Sequence, residues 1–149
     1  MRLMQVFAVG MVMVCSVIAT DKVRPAEVVY AKKCSMCHLD DKPKNDQERN
    51  SMVAPPMRTA MASVVITIDA VDGPMDEETL KESSVEFLKD YLYNPTPQKT
   101  NCESFVIKKF GRMPSLKGFI SDQELNVVVP WVYDNFKPVK INGKYKKQN

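Results

Sequence analysis

The stretch Cys34-Ser35-Met36-Cys37-His38 decides how the rest of the chain is read. Two cysteines three apart, followed at once by a histidine, have the spacing of a c-type haem attachment site. One helical turn between the thiols lets both sulfurs face a porphyrin edge and add across its two vinyl groups. His38, the next residue, then projects its imidazole onto the iron as proximal ligand, through a neutral Nε2. Two other chemistries also use the CxxC spacing. A thioredoxin-like redox pair places it at a helix start after a strand, whereas Pro25 to Lys33 reads as a helix leading into the motif. A structural zinc site needs four ligands, and the chain offers only Cys15 and Cys102 besides, with no second histidine.

The 149 residues suit one domain with a real core. A net charge of +3 is too mild to point to nucleic acid. No internal repeat is visible. Residues 1–19 differ from the rest: Arg2 supplies a positive start, and Val6 to Ala19 is apolar except for Ser16. That is the pattern of a secretory signal peptide, with cleavage expected after Ala19. About 14 apolar residues fall short of the roughly 20 that span a bilayer, so an anchor is the weaker reading. Cys15 follows Val14 rather than the small residue a lipoprotein signal wants. Export agrees with CxxCH, because haem c is attached beyond the membrane, where thiols would otherwise oxidise. Cys102 then reads as a half-buried small residue.

Taken in order, Pro25 opens a helix on which Ala26 and Tyr30 share a face. Leu39 to Asn50 is charged and without period, and reads as a solvated loop. Val53-Ala54-Pro55-Pro56-Met57 is a rigid extended turn. Val64 to Ile68 has strand propensity, yet Met57, Met61, Val64 and Ile68 fall on one helical face, which predicts a helix ended by Asp72-Gly73-Pro74. Asp76-Glu77-Glu78 suits a helix N-terminus as well as it suits a solvated run. Three capping boxes follow. Ser83…Glu86 is expected to open a helix burying Val85, Leu88 and Leu92, stopped by Asn94-Pro95. Thr100…Glu103 opens one carrying Phe105, Val106 and Phe110, closed by Gly111. Ser121…Glu124 opens the last, with Leu125, Val128, Val132 and Phe136 inward and a kink expected at Pro130. Residues 138–149 belong to a basic tail, expected to be disordered and solvated, with docking to an acidic partner the lesser reading.

A haem iron with one protein ligand binds gases or peroxide, and with two it is an electron-transfer centre. His38 is the only histidine, so a second ligand must come from the ten methionines. Met113 stands out: it follows Gly111, precedes the stiffening Pro114, and sits in the loop before the last helix. Met57 is the rival, better read as packing over the haem edge. Met36, Met52 and Met61 rank lower. Arg112 and Lys117 could neutralise propionates, though a solvated role suits each better.

The order Cys34 to His38, Ala54-Pro55-Pro56-Met57, Phe110-Gly111-Arg112-Met113-Pro114, Leu116, Ser121 to Leu125, and Trp131-Val132-Tyr133 resembles a class I cytochrome c. The likeness is to the small monohaem periplasmic type and spans most of the chain after residue 19. It implies an all-α cytochrome c fold of about four to five helices around one covalent haem, over residues 20–137. It implies Met113 as the distal ligand, and a carbonyl near Pro55 or Pro56 accepting from His38 Nδ1–H, which would fix the tautomer. It implies further that the first helix crosses the last, with Ala26 and Tyr30 against Trp131. Ala26 replaces a frequent Gly, and Pro130 is unusual beside the packing aromatic.

The expected function is therefore single-electron transfer in the periplasm by a carrier rather than an enzyme. It would be a monomer or weak dimer, with no membrane span after signal cleavage and no nucleic acid. Partners would be a quinol-oxidising complex, a terminal oxidase or a periplasmic dehydrogenase. The alternatives are a five-coordinate sensor or peroxidase-type protein, and a haem subunit of a larger redox enzyme.

Overall fold

Side-chain caps at Asn45, Asp76 and Ser121 set three of the helix starts. The computed structural model describes residues 25–99 and 102–146. The signal peptide expected at 1–19, Cys15 and Thr100 all lie outside the described residues. Those described form six α-helices and one small hairpin, so the chain is predominantly α. Helix α1 spans Pro25–Lys33, α2 Asp46–Ser51, α3 Met57–Val71, α4 Glu77–Tyr93, α5 Ser104–Phe110 and α6 Asp122–Phe136. Strands β1, Lys140–Ile141, and β2, Lys144–Tyr145, pair antiparallel. Among the described residues no helix is long and apolar enough to cross a membrane.

Helix α6 is the spine. Ser121 accepts from Glu124 N–H while the Glu124 carboxylate accepts from Ser121 N–H, satisfying two otherwise orphan donors. Leu125, Val128, Val129, Val132, Tyr133 and Phe136 are buried along it, at the spacing of one helical face. Pro130 lies inside α6, which is one helix from Asp122 to Phe136. The carbonyl that loses a partner belongs to Asn126, an exposed residue, so water can replace the missing N–H. Against this spine α1 crosses, and α3 and α4 pack on it and on each other. Tyr30 fixes the α1 crossing, its ring 5.1 Å from Trp131 and 5.3 Å from Phe136.

Four expectations need correction. The loop expected over Leu39 to Asn50 contains α2, whose N-cap Asn45 accepts from Glu48 N–H. Its residues are all exposed or half-buried, so no apolar period announced it. Helix α4 starts not at Ser83 but at Glu77, capped by Asp76, which accepts from the N–H groups of Glu78 and Thr79. Ser83 and Ser84 are interior, and Ser84 is wholly buried. Helix α5, expected to open with a Thr100…Glu103 capping box, starts at Ser104 after Glu103, which makes no side-chain cap, and its Phe105 is 64% exposed. The tail expected to be disordered folds back through Asn142-Gly143, both at positive φ, into the β1–β2 hairpin. Elsewhere α3 is a helix as favoured, its Met57, Met61, Val65 and Ile68 buried, and Gly111 closes α5 at φ 73°.

The hairpin docks by charge as well as packing. Tyr145 packs against the core, and Lys140 Nζ donates to Asp69 Oδ2 on α3 at 2.7 Å. That donated hydrogen bond holds the Asp69 carboxyl below the usual carboxylate range. A group with a depressed folded pKa stabilises fully above its unfolded value, about 3.9, and loses that contribution as pH falls towards the depressed value. Thermal melts from neutral to acid pH should therefore show the wild type losing a few degrees more than Asp69→Asn. Superimposable pH profiles would remove Asp69 from the hairpin's anchorage.

Candidate functional site

The motif forms where α1 runs out. Cys34 N–H donates to the Tyr30 carbonyl at 2.9 Å, and the N–H groups of Cys37 and His38 both return to the Cys34 carbonyl, at 3.1 and 3.0 Å. The cysteines thus sit at a helix C-terminus, the end that disfavours a thiolate. Burial pushes the Cys34 thiol up to about 11, with the neighbouring Cys37 adding to the shift. A reactive dithiol needs the opposite, a lowered pKa at a helix N-terminus.

His38 is half-buried, and its Nδ1 lies 2.7 Å from the Pro55 carbonyl oxygen. A carbonyl only accepts, so Nδ1 carries the hydrogen, and Nε2 of the neutral ring is left with its lone pair. Of the two carbonyls expected, Pro55 is the one used. Burial lowers the His38 pKa, and the Pro55 bond opposes this in part. The ring is thus held in the state a metal requires.

A cavity of about 450 Å³ opens beside this ring. Cys34, Cys37, His38 and Met113 all line it, so the four residues singled out in the sequence converge on one space. Its walls are mostly apolar: Met57 and Met61 from α3, Leu88 and Tyr91 from α4, Val106 and Phe110 from α5, and Val128 and Val132 from α6. The volume lies within the about 300–1,000 Å³ typical of sites that engulf an organic ligand. Two thiols, an imidazole lone pair and a thioether lining one apolar cleft make up the donor set that a c-type haem would take. Among the described residues no three His, Cys, Asp or Glu side chains gather to hold a bare metal ion.

Met113 reaches the cavity from a braced loop. Leu116 N–H donates to the Leu92 carbonyl at 2.8 Å, and Ser115 Oγ donates to the Tyr93 carbonyl at 2.6 Å, tying residues 115–116 to the end of α4. A second, more open cavity of about 540 Å³ is lined by Pro95, Arg112 and Met113 among others. Arg112 lines both cavities; Lys117 does not line the first. Lys33 and Lys99 do, though Lys33 donates to the Phe119 carbonyl at 2.6 Å and Lys99 pairs with Asp90 at 2.5 Å. Cys102 is half-buried on the same wall, as its reading supposed. Sequence reasoning missed Phe87, Tyr91 and Phe119 as wall residues, because each is set by packing across helices rather than by a local motif.

A protein of Aquifex aeolicus (strain VF5), described as an uncharacterized protein, is 30% identical over 117 residues. The match covers 73% of this chain and 72% of that protein. No family model matches the chain, and no solved structure matches it.

Proposed function

This chain belongs to the same family as the Aquifex aeolicus protein, and we propose that it is a single-electron carrier with one covalent haem c. The observation that carries the proposal is the convergence of Cys34, Cys37, His38 and Met113 on one apolar cavity. Bound there, the haem would supply one reversible electron between its ferric and ferrous states.

The chain's own residues would do the rest. Cys34 and Cys37 hold the group by thioether bonds, and His38 offers Nε2 on one side. The Pro55 carbonyl fixes the His38 tautomer and raises its basicity. Met113 supplies a thioether, which favours a higher potential than a second imidazole would. The apolar walls disfavour the more charged oxidised state and so act in the same direction. Met36, Val53 and Phe119 line the cavity yet are 65%, 64% and 45% exposed, which leaves an apolar rim where a redox partner can touch.

The role would be played in the periplasm, after removal of residues 1–19. Its partners would be a quinol-oxidising complex, a terminal oxidase or a periplasmic dehydrogenase. Permanent residence as a haem subunit of a larger enzyme would use the same residues and differ only in partner. A five-coordinate sensor or peroxidase-type reading draws on one observation, the second open cavity that Met113 also lines. Protein purified from cells competent in haem c maturation decides the first question. It should be red and show, on reduction, the narrow α-band of thioether-linked haem. Colourless folded protein would reject the proposal.

A further inference from the structure

The segment after His38 is stitched to the start of α3. Met57 N–H donates to the Leu39 carbonyl at 2.6 Å, and Arg58 N–H donates to the Asp40 carbonyl at 3.2 Å. With the His38–Pro55 bond, residues 38–40 are paired to residues 55–58 at three points. Helix α3 has no side-chain cap, so these carbonyls satisfy donors that would otherwise be orphans. Side chains lock the same segment from two directions. Tyr30 Oη donates to Asp40 Oδ1 at 2.5 Å, and Arg58 Nε donates to Asp41 Oδ1 at 2.5 Å. The Arg58 guanidinium also donates to the Asn135 carbonyl at 3.3 Å and lies 5.6 Å from the Phe136 ring centre. One side chain therefore joins the segment after His38, the start of α3 and the end of α6.

We infer that Arg58, through Asp41, is a positioning residue for His38, holding the 38–41 and 55–58 segments in the register that keeps the His38–Pro55 hydrogen bond short. The inference rests on the reading of His38 as an iron ligand. It does not follow from stability alone, because the Arg58–Asp41 pair is 41% and 69% exposed, and exposed ion pairs add little to global stability. What the pair controls is local: an imidazole whose Nδ1 partner drifts loses basicity at Nε2 and a fixed ring plane.

The test uses the reduced, haem-loaded protein and follows exchange of the His38 Nδ1 proton by NMR, alongside the reduction potential and thermal stability. Arg58→Gln should speed that exchange on the order of tenfold and raise the potential, since a less basic imidazole stabilises the ferric state less. Arg58→Lys, which keeps the charge on Asp41, should recover most of the protection. Asp41→Asn, at an exposed side chain, should reproduce Arg58→Gln, and the double variant should add nothing. Unchanged exchange and potential in Arg58→Gln and Asp41→Asn, with only a lower melting temperature, would overturn the inference and leave the carrier reading intact. A wild type without covalent haem would overturn both, and shows before any variant is made.

Discussion

Cys37→Ala, produced alongside wild type with haem available, is expected to leave little folded protein. The wild type should keep its haem through acid–acetone extraction and denaturing electrophoresis. The reason is the cavity. A cleft of about 450 Å³ with mostly apolar walls keeps that surface in water until a ligand covers it, and each Å² of apolar area covered is worth about 25 cal/mol. A domain of this size has about 5–15 kcal/mol in total. Residues of α1 and of α3 through α6 line the cleft, so a haem bound there would tie these helices to one another. On the proposed function two thioether bonds would hold the haem permanently; with Cys37 gone, one bond and the His38 contact would remain. Cys34→Ala should behave alike. Should Cys37→Ala prove folded and as heat-stable as the wild type, with no haem, the cofactor would be irrelevant to the core and the reading would fail.

The residues nearest this chemistry were the most legible in the sequence. Cys34, Cys37 and His38 form a contiguous motif, and the helical turn that presents them is local. Caps are local too, so Asp76, Gly111 and Ser121 marked real ends. Ser83…Glu86 misled because a serine three residues before a glutamate also occurs inside a helix. Once Asp76 had capped α4, the Ser83 box had no free N–H to satisfy. Helix α2 escaped for the opposite reason, since a helix with no buried residue leaves no period and only Asn45…Glu48 announced it. Asn142-Gly143 was likewise legible as a turn, but five lysines past Phe136 argued for solvent. The ion pair of Lys140 with Asp69, which decides the matter, joins residues far apart in sequence. The brace of Arg58 on Asp41 and Asn135 is similarly non-local. Sequence named the candidate groups for the chemistry; it could not show which residues hold them still.

Met113→Ala should change the coordination of the iron, while Met57→Ala should change only stability. Both methionines line the cavity, so proximity alone does not choose between them. Their backbones do. Met57 N–H is bonded to the Leu39 carbonyl, one residue from His38, and Pro55 two residues earlier grips the imidazole itself. Met57 therefore belongs to the wall that carries the proximal ligand. Met113 arrives on a separate segment, after α5, with residues 115–116 tied to the end of α4. A ligand opposite His38 must come from such a segment. In the wild type, the oxidised protein should be low-spin with the red-region sulfur-to-iron charge-transfer band, and the reduced protein should bind CO slowly near neutral pH. Met113→Ala should abolish the band, admit CO and lower the potential. Met57, only 8% exposed, is packed in the core, so Met57→Ala should cost about 2–5 kcal/mol of stability with band, CO reactivity and potential nearly unchanged. If the band survives in Met113→Ala and disappears in Met57→Ala, the carrier stands with its ligand reassigned. If the wild type is high-spin and takes up CO rapidly, no thioether holds the sixth position. A sensor or peroxidase-type site, next to the second open cavity that Met113 also lines, then replaces the carrier reading.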